Sequence, residues 1–101
     1  MGKLESKIES DAREYARKRG WLVYKLETFG NAGSPDKIFC KKGTVLFVEF
    51  KRGSEGRVSA NQEVEIELLK HHGFEIYICE SYKLFKELLD IFDGIIEREN
   101  E

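Results

Sequence analysis

From Lys3 to Gly20 the apolar positions recur every three to four residues. Leu4, Ile8, Ala12, Tyr15 and Ala16 line one side of a helix, and Gly20 supplies its stop. The period then changes. WLVYKLETF (21–29) is aromatic and β-branched and predicts a strand. GNAGSP (30–35) holds two glycines and the only proline, and reads as a loop. DKIFCKKGTVLFVEFK (36–51) predicts a hairpin, with strands over 36–40 and 44–51 and a turn at Lys41–Gly43. After a polar loop over 53–59, Ser59 opens a helix over 60–72, with Val64, Leu68 and Leu69 inward and Gly73 ending it. FEIYICE (74–80) predicts a fourth strand. Ser81 caps a last helix over 82–92, whose inward stripe is Leu84, Phe85, Leu88, Leu89 and Phe92. Residues 93–101 either fray or extend that helix through Ile95 and Ile96.

The order α-β-β-β-α-β-α predicts an α/β fold, one mixed central sheet flanked by helices. Strand 44–51, the following helix and strand 74–80 make a β-α-β crossover, which requires a parallel pair. A length of 101 residues suits a single domain spanning 1–101.

Composition narrows the class. The chain is 41% hydrophobic and 36% charged, and no run approaches the ~18 apolar residues of a membrane span. MGKLESKIES has no apolar leader core, so a soluble, intracellular and cytoplasmic protein with no membrane partner is expected. Cys40 and Cys79 sit in apolar segments and read as reduced core residues; their spacing matches no zinc pattern. Net charge is −2, yet residues 1–60 hold 13 Lys or Arg against 8 Asp or Glu, while 61–101 hold 4 against 11. A basic half beside an acidic half fits a protein with one side turned to a polyanion.

The most apolar run, TVLFVEFK, carries an acid and a base two residues apart. Side chains alternate along a strand, so Glu49 and Lys51 share a face with Val45 and Phe47, while Leu46, Val48 and Phe50 point the other way. Apolar residues on both faces predict a central strand covered on both sides. Pairing around the 41–43 turn makes partner numbers sum to 84 or 85, which puts Asp36 opposite residue 48 or 49, about 5–7 Å from Glu49. Two carboxylates that close repel unless a cation lies between them. Hard oxygen donors of this kind suit Mg²⁺ or Mn²⁺. A partly buried ion pair, Glu49 with Lys51 or Asp36 with Lys37, is the plainer alternative.

These residues resemble the PD-(D/E)xK nuclease superfamily, and within it the VRR-NUC family, which is similar to Holliday-junction resolvases. The resemblance spans roughly residues 5–80. It rests on Glu9 in the first helix, Gly33-Ser34-Pro35-Asp36, Val48-Glu49-Phe50-Lys51 and Ser59-Ala60-Asn61-Gln62, in that order. It implies a restriction-endonuclease-like fold and a metal-dependent endonuclease that hydrolyses DNA phosphodiester bonds. It implies Asp36, Glu49 and the Phe50 carbonyl as Mg²⁺ or Mn²⁺ ligands, Lys51 as catalytic base or charge stabiliser, and Glu9 and Gln62 as supporting residues. Branched or junction DNA and a homodimer follow from the same resemblance. A non-cleaving nucleic-acid-binding or protein-interaction module on the same fold is the alternative.

Several assignments have competitors. Glu5 lies one turn before Glu9 on the same side of the helix. Gln62 closes a capping box with Ser59, in which its side chain returns to the Ser59 amide. Arg13, Lys41, Lys42, Arg52 and Arg57 are candidates for sequence-independent phosphate contacts, or ordinary solvated residues. His71 and His72 diverge by about 100° on a helix and cannot chelate one ion together. Trp21 and Tyr24 read as core before they read as base-stacking platforms. Ile95 and Ile96, at an acidic end, predict an exposed patch that a two-fold partner would cover.

Overall fold

The structure, a computed structural model, describes residues 3–26, 37–51 and 60–100. Its elements are α1 (Lys3–Lys18), β1 (Leu22–Lys25), β2 (Lys37–Lys41), β3 (Thr44–Phe50), α2 (Ala60–His71), β4 (Ile76–Cys79) and α3 (Tyr82–Glu99). The four strands form one mixed sheet in the order β1-β2-β3-β4. β1–β2 and β2–β3 are antiparallel, and the β3-α2-β4 crossover gives the expected parallel pair. The β2–β3 partners, from Lys41↔Thr44 to Lys37↔Val48, sum to 85.

Both predicted glycine stops hold for the same reason. Gly20 and Gly73 adopt φ +87° and +88°, a left-handed turn that a side chain would strain. At α1, Trp21 N–H donates to the Ala16 carbonyl and Gly20 N–H to that of Arg17; at α2, Phe74 and Gly73 donate to Leu69 and Lys70. These paired bonds satisfy carbonyls that the helix ends leave open.

One sheet face is the core. Phe39, Leu46, Val48, Phe50 and Cys79 project from it against Ala12 and Ala16 of α1 and Phe85, Leu89 and Ile96 of α3. Phe85 stacks at 4.9 Å from Phe39 and 5.5 Å from Phe50, within the range of favourable aromatic pairs. Ser81 caps α3 by accepting from the Leu84 N–H. Cys79 is buried here, and desolvation pushes its thiol up to about 11, so it stays protonated and unreactive at neutral pH. Both cysteines are free thiols, and Cys40 points to the other face.

Three expectations change. α3 runs through Gly94 to Glu99, and Ile96 is in the core, so Ile95 and Ile96 are not an exposed patch. Leu84 instead lies outward. In α2 the buried positions are Gln62 and Ile66, while Val64 and Leu68 face solvent. The strand register places Glu49 on the face that α2 covers, and the helix turns toward it the side that carries Gln62. The central strand β3 is also open at one end. On that second face Leu22, Tyr24, Val45 and Ile78 are 45–58% exposed.

Lys41 and Trp21 have structural roles. Lys41 Nζ reaches Asp93 at 2.8 Å and donates to the Arg19 carbonyl at 2.6 Å. Trp21 Nε1 donates to the same Asp93 carboxylate at 2.9 Å. This network ties the end of α1 and the β2 terminus to α3, so Lys41 is committed inside the fold rather than to a ligand. Tyr24, by contrast, is an exposed residue rather than a core one.

Candidate active site

β3 ends in Glu49-Phe50, with Lys51 just beyond it, and Lys51 N–H donates to the Cys79 carbonyl at 3.0 Å. That bond extends the parallel pairing by one residue and fixes where the Lys51 side chain departs. Strand alternation sends Glu49 and Lys51 to the α2 side, as expected. Glu49 is 1% exposed. Lys51 Nζ lies 3.3 Å from Glu49 Oε1 and donates to Gln62 Oε1 at 3.1 Å. Gln62 sits in the first turn of α2 and is buried. Three residues from two elements therefore meet around one ammonium group.

The Glu49–Lys51 ion pair that the sequence allows does form. A buried pair of this kind is a weak stabiliser, because each charge loses its water. A third polar side chain, brought from α2, makes the cluster more than a salt bridge: it holds the ammonium in one place at the open end of the strands. The Gln62–Lys51 bond places Gln62 beside Lys51 and Glu49. Ser59, its capping-box partner, lies outside the described residues.

Of the other expected site residues, Glu9 is half-buried on α1. The Glu5 side chain and all of Asp36 lie outside the described residues, as do Ser34, Arg52 and Arg57. Among the described residues, no three His, Cys, Asp or Glu side chains gather as a metal site. The donor chemistry nonetheless fits a hard divalent cation. The Glu49 carboxylate is a hard oxygen donor at the sheet end, next to a backbone carbonyl, with no soft ligand in the cluster.

Two solved structures share this arrangement of elements. One, described as "VRR_NUC domain", has 27% sequence identity and a TM-score of 0.80, covering 88% of this chain and 97% of its own. The chain has a VRR-NUC domain fold. A second structure, "VRR_NUC domain protein", is 15% identical with a TM-score of 0.72, covering 88% of each chain. No protein-family model matches the sequence, and no curated protein matches it. The VRR-NUC fold is a nuclease-type fold, and its three helices and four-stranded mixed sheet follow the order read from the sequence. No described helix is long and apolar enough to cross a membrane.

The sequence offered Lys37 as an ion-pair partner of Asp36, which lies outside the described residues, and the structure places this lysine inside the sheet. It is 7% exposed on the core face of β2, two residues before Phe39. The signal was available: alternation from Phe39 puts residue 37 inward, and the register pairs it with Val48.

Proposed function

We propose that this VRR-NUC domain is a Mg²⁺- or Mn²⁺-dependent endonuclease that hydrolyses DNA phosphodiester bonds, with branched or junction DNA as its preferred substrate. The observation that carries the reading is the Glu49–Lys51–Gln62 cluster at the end of β3 on a nuclease-type fold. The observed register sum of 85 is the one of the two sums allowed by the sequence under which Asp36 is expected opposite Glu49, and this supports Asp36 as the second carboxylate. Asp36, Glu49 and the Phe50 carbonyl would hold the metal, with Glu9 of α1 in support. The bound ion would lower the pKa of water and offset charge on the phosphate. Lys51 Nζ, fixed by Gln62, then holds or accepts a proton beside the attacking water, or stabilises the charge that develops on the phosphoryl oxygens. Gln62 acts as a positioning residue. Glu49, buried, keeps the ammonium at the strand end while water is excluded from one side. The protein acts in a soluble, cytoplasmic setting as one domain.

Incubation of a four-way DNA junction and its linear arms with the protein tests this. Cleavage in Mg²⁺ or Mn²⁺, lost with a chelator and lost in Asp36→Asn, is the expected result. Binding to DNA without cleavage in any divalent ion would overturn it in favour of the non-cleaving module.

A homodimer belongs to the same reading, but its expected seat moves. Ile96 is core, so the C-terminal helix end offers no isoleucine patch. The open sheet face does: Leu22, Tyr24 and Val45 occupy neighbouring strands there, with half-exposed Ile38 and Phe47 between them. A second copy laid on this face through a two-fold axis buries it self-complementarily. Light scattering at micromolar concentration is expected to give a dimer, and Val45→Glu a monomer. A monomeric wild-type protein would exclude the dimer.

A further inference from the structure

The described basic side chains of α1 fall into two groups. Lys7 pairs with Asp11 at 3.3 Å and Lys18 with Glu14 at 3.0 Å, each pair one turn apart on the helix. Arg19, just past its end, lies over the Tyr15 ring at 3.4 Å and donates to the Tyr15 carbonyl. Arg13 and Arg17 differ. Both are exposed, and among the described residues the side chain of neither makes an ion pair, a hydrogen bond or a ring contact. The helix dipole favours a base in the last turn, which accounts for Arg17 but not for Arg13 one turn earlier. Like charges four residues apart on a helix also repel each other.

Their direction follows from the helix itself. Ala12 and Ala16 face the core, and Asp11, Tyr15 and Lys18 line a groove with Tyr82 of α3. At about 100° per residue, Arg13 and Arg17 lie within about 40° of each other on the remaining side, next to the exposed Ser10. Glu9, in support of the metal in the reading above, is one turn before Arg13 on the same flank. We propose that Arg13 and Arg17 bind the phosphate backbone of a DNA duplex arm that leaves the active site along α1. The inference rests on the nuclease reading and extends the path of its substrate beyond the metal site. Four residues of helix advance about 6 Å, which spans about two phosphates of one strand along the duplex axis. Guanidinium groups match phosphate oxygens in pairs, and a phosphate between them relieves their repulsion. The contact reads no bases, so it holds an arm in place without specifying its sequence.

The test is fluorescence anisotropy with a labelled four-way DNA junction and a linear duplex, in a chelator so that nothing is cut, across a series of KCl concentrations. Each phosphate contact contributes about −0.9 to the slope of log affinity against log salt. Arg13→Gln and Arg17→Gln keep the helix, because glutamine and arginine have similar helix propensity and both positions are exposed. Each is expected to weaken binding to both DNAs and to flatten the slope by about 0.9, and the double variant by about 1.8. Lys70→Gln removes the same charge from α2, on the opposite face of the sheet, and is expected to leave the slope unchanged. An unchanged slope in the double variant overturns the phosphate row. An equal loss in Lys70→Gln also overturns it, since net charge alone would then set the affinity. A wild type that cuts the junction in Mg²⁺ while the double variant keeps its slope overturns the row and leaves the nuclease reading standing. A wild type that binds neither DNA at low salt overturns both.

Discussion

Glu49→Gln is expected to abolish metal-dependent cleavage while the protein remains folded. The carboxylate is 1% exposed at the end of an interior strand, with an ammonium group 3.3 Å away. An amide has nearly the same shape, and its carbonyl can still accept from Lys51, so packing against α2 survives. What disappears is the negative charge that a hard cation needs. Losing one partner of a buried pair also leaves Lys51 poorly compensated, although its side chain keeps 14% exposure and the bond to Gln62. The stability cost is therefore expected near 1–3 kcal/mol, the range for weakening a charged buried hydrogen bond. Junction cleavage in Mg²⁺ and Mn²⁺, alongside a thermal melt, measures both quantities. Turnover like the wild type's would mean that Glu49 serves only as the counter-ion of Lys51.

The pairing of Glu49 with Lys51 shows how far the sequence could be read. Alternation along TVLFVEFK put both side chains on one face, and the register sum of 85 lay within the expected range. Those are local rules: a period of two and a tight turn leave little freedom. The β3-α2-β4 crossover was legible for the same kind of reason, because a helix that packs back on the sheet between two strands returns the chain to its starting end and makes them parallel. Glycine at φ near +88° marked where α1 and α2 end, since few other residues tolerate that backbone.

What failed depended on which side of an element meets the rest of the fold. In α2 the apolar residues Val64, Ile66, Leu68 and Leu69 surround the helix, so hydrophobicity alone does not select a face. The choice fell to Gln62 and Ile66 because the cluster on β3 needs the amide. Polarity hid the inward face. Ile96 was misplaced by a different error: the helix was allowed to run past Gly94, but the core was counted as filled before residue 95, whereas Ile96 packs in it with Phe85 and Leu89. The partner of Lys41, Asp93, lies more than fifty residues away in the chain, so no local pattern could show it.

The cluster also makes a sharp division of labour testable. Lys51→Ala is expected to lower the cleavage rate by roughly 10²–10⁴-fold, the usual worth of a positioned proton-transfer group or charge stabiliser. Metal binding should persist, because Lys51 donates no ligand and its removal takes a repelling positive charge away from Glu49. Gln62→Ala acts through the ammonium it holds at 3.1 Å, so its own loss should be smaller. In the Lys51→Ala background the Gln62→Ala change should then add almost nothing, the signature of two residues working as one unit. Single-turnover cleavage by the wild type and the three variants gives the rates, and Mn²⁺ titration followed by electron paramagnetic resonance gives the affinity. Mn²⁺ binding that vanishes with Lys51 would make the lysine a structural support of the metal ligands. Additive losses in the double variant would detach Gln62 from Lys51 and give the amide a contact of its own with the substrate.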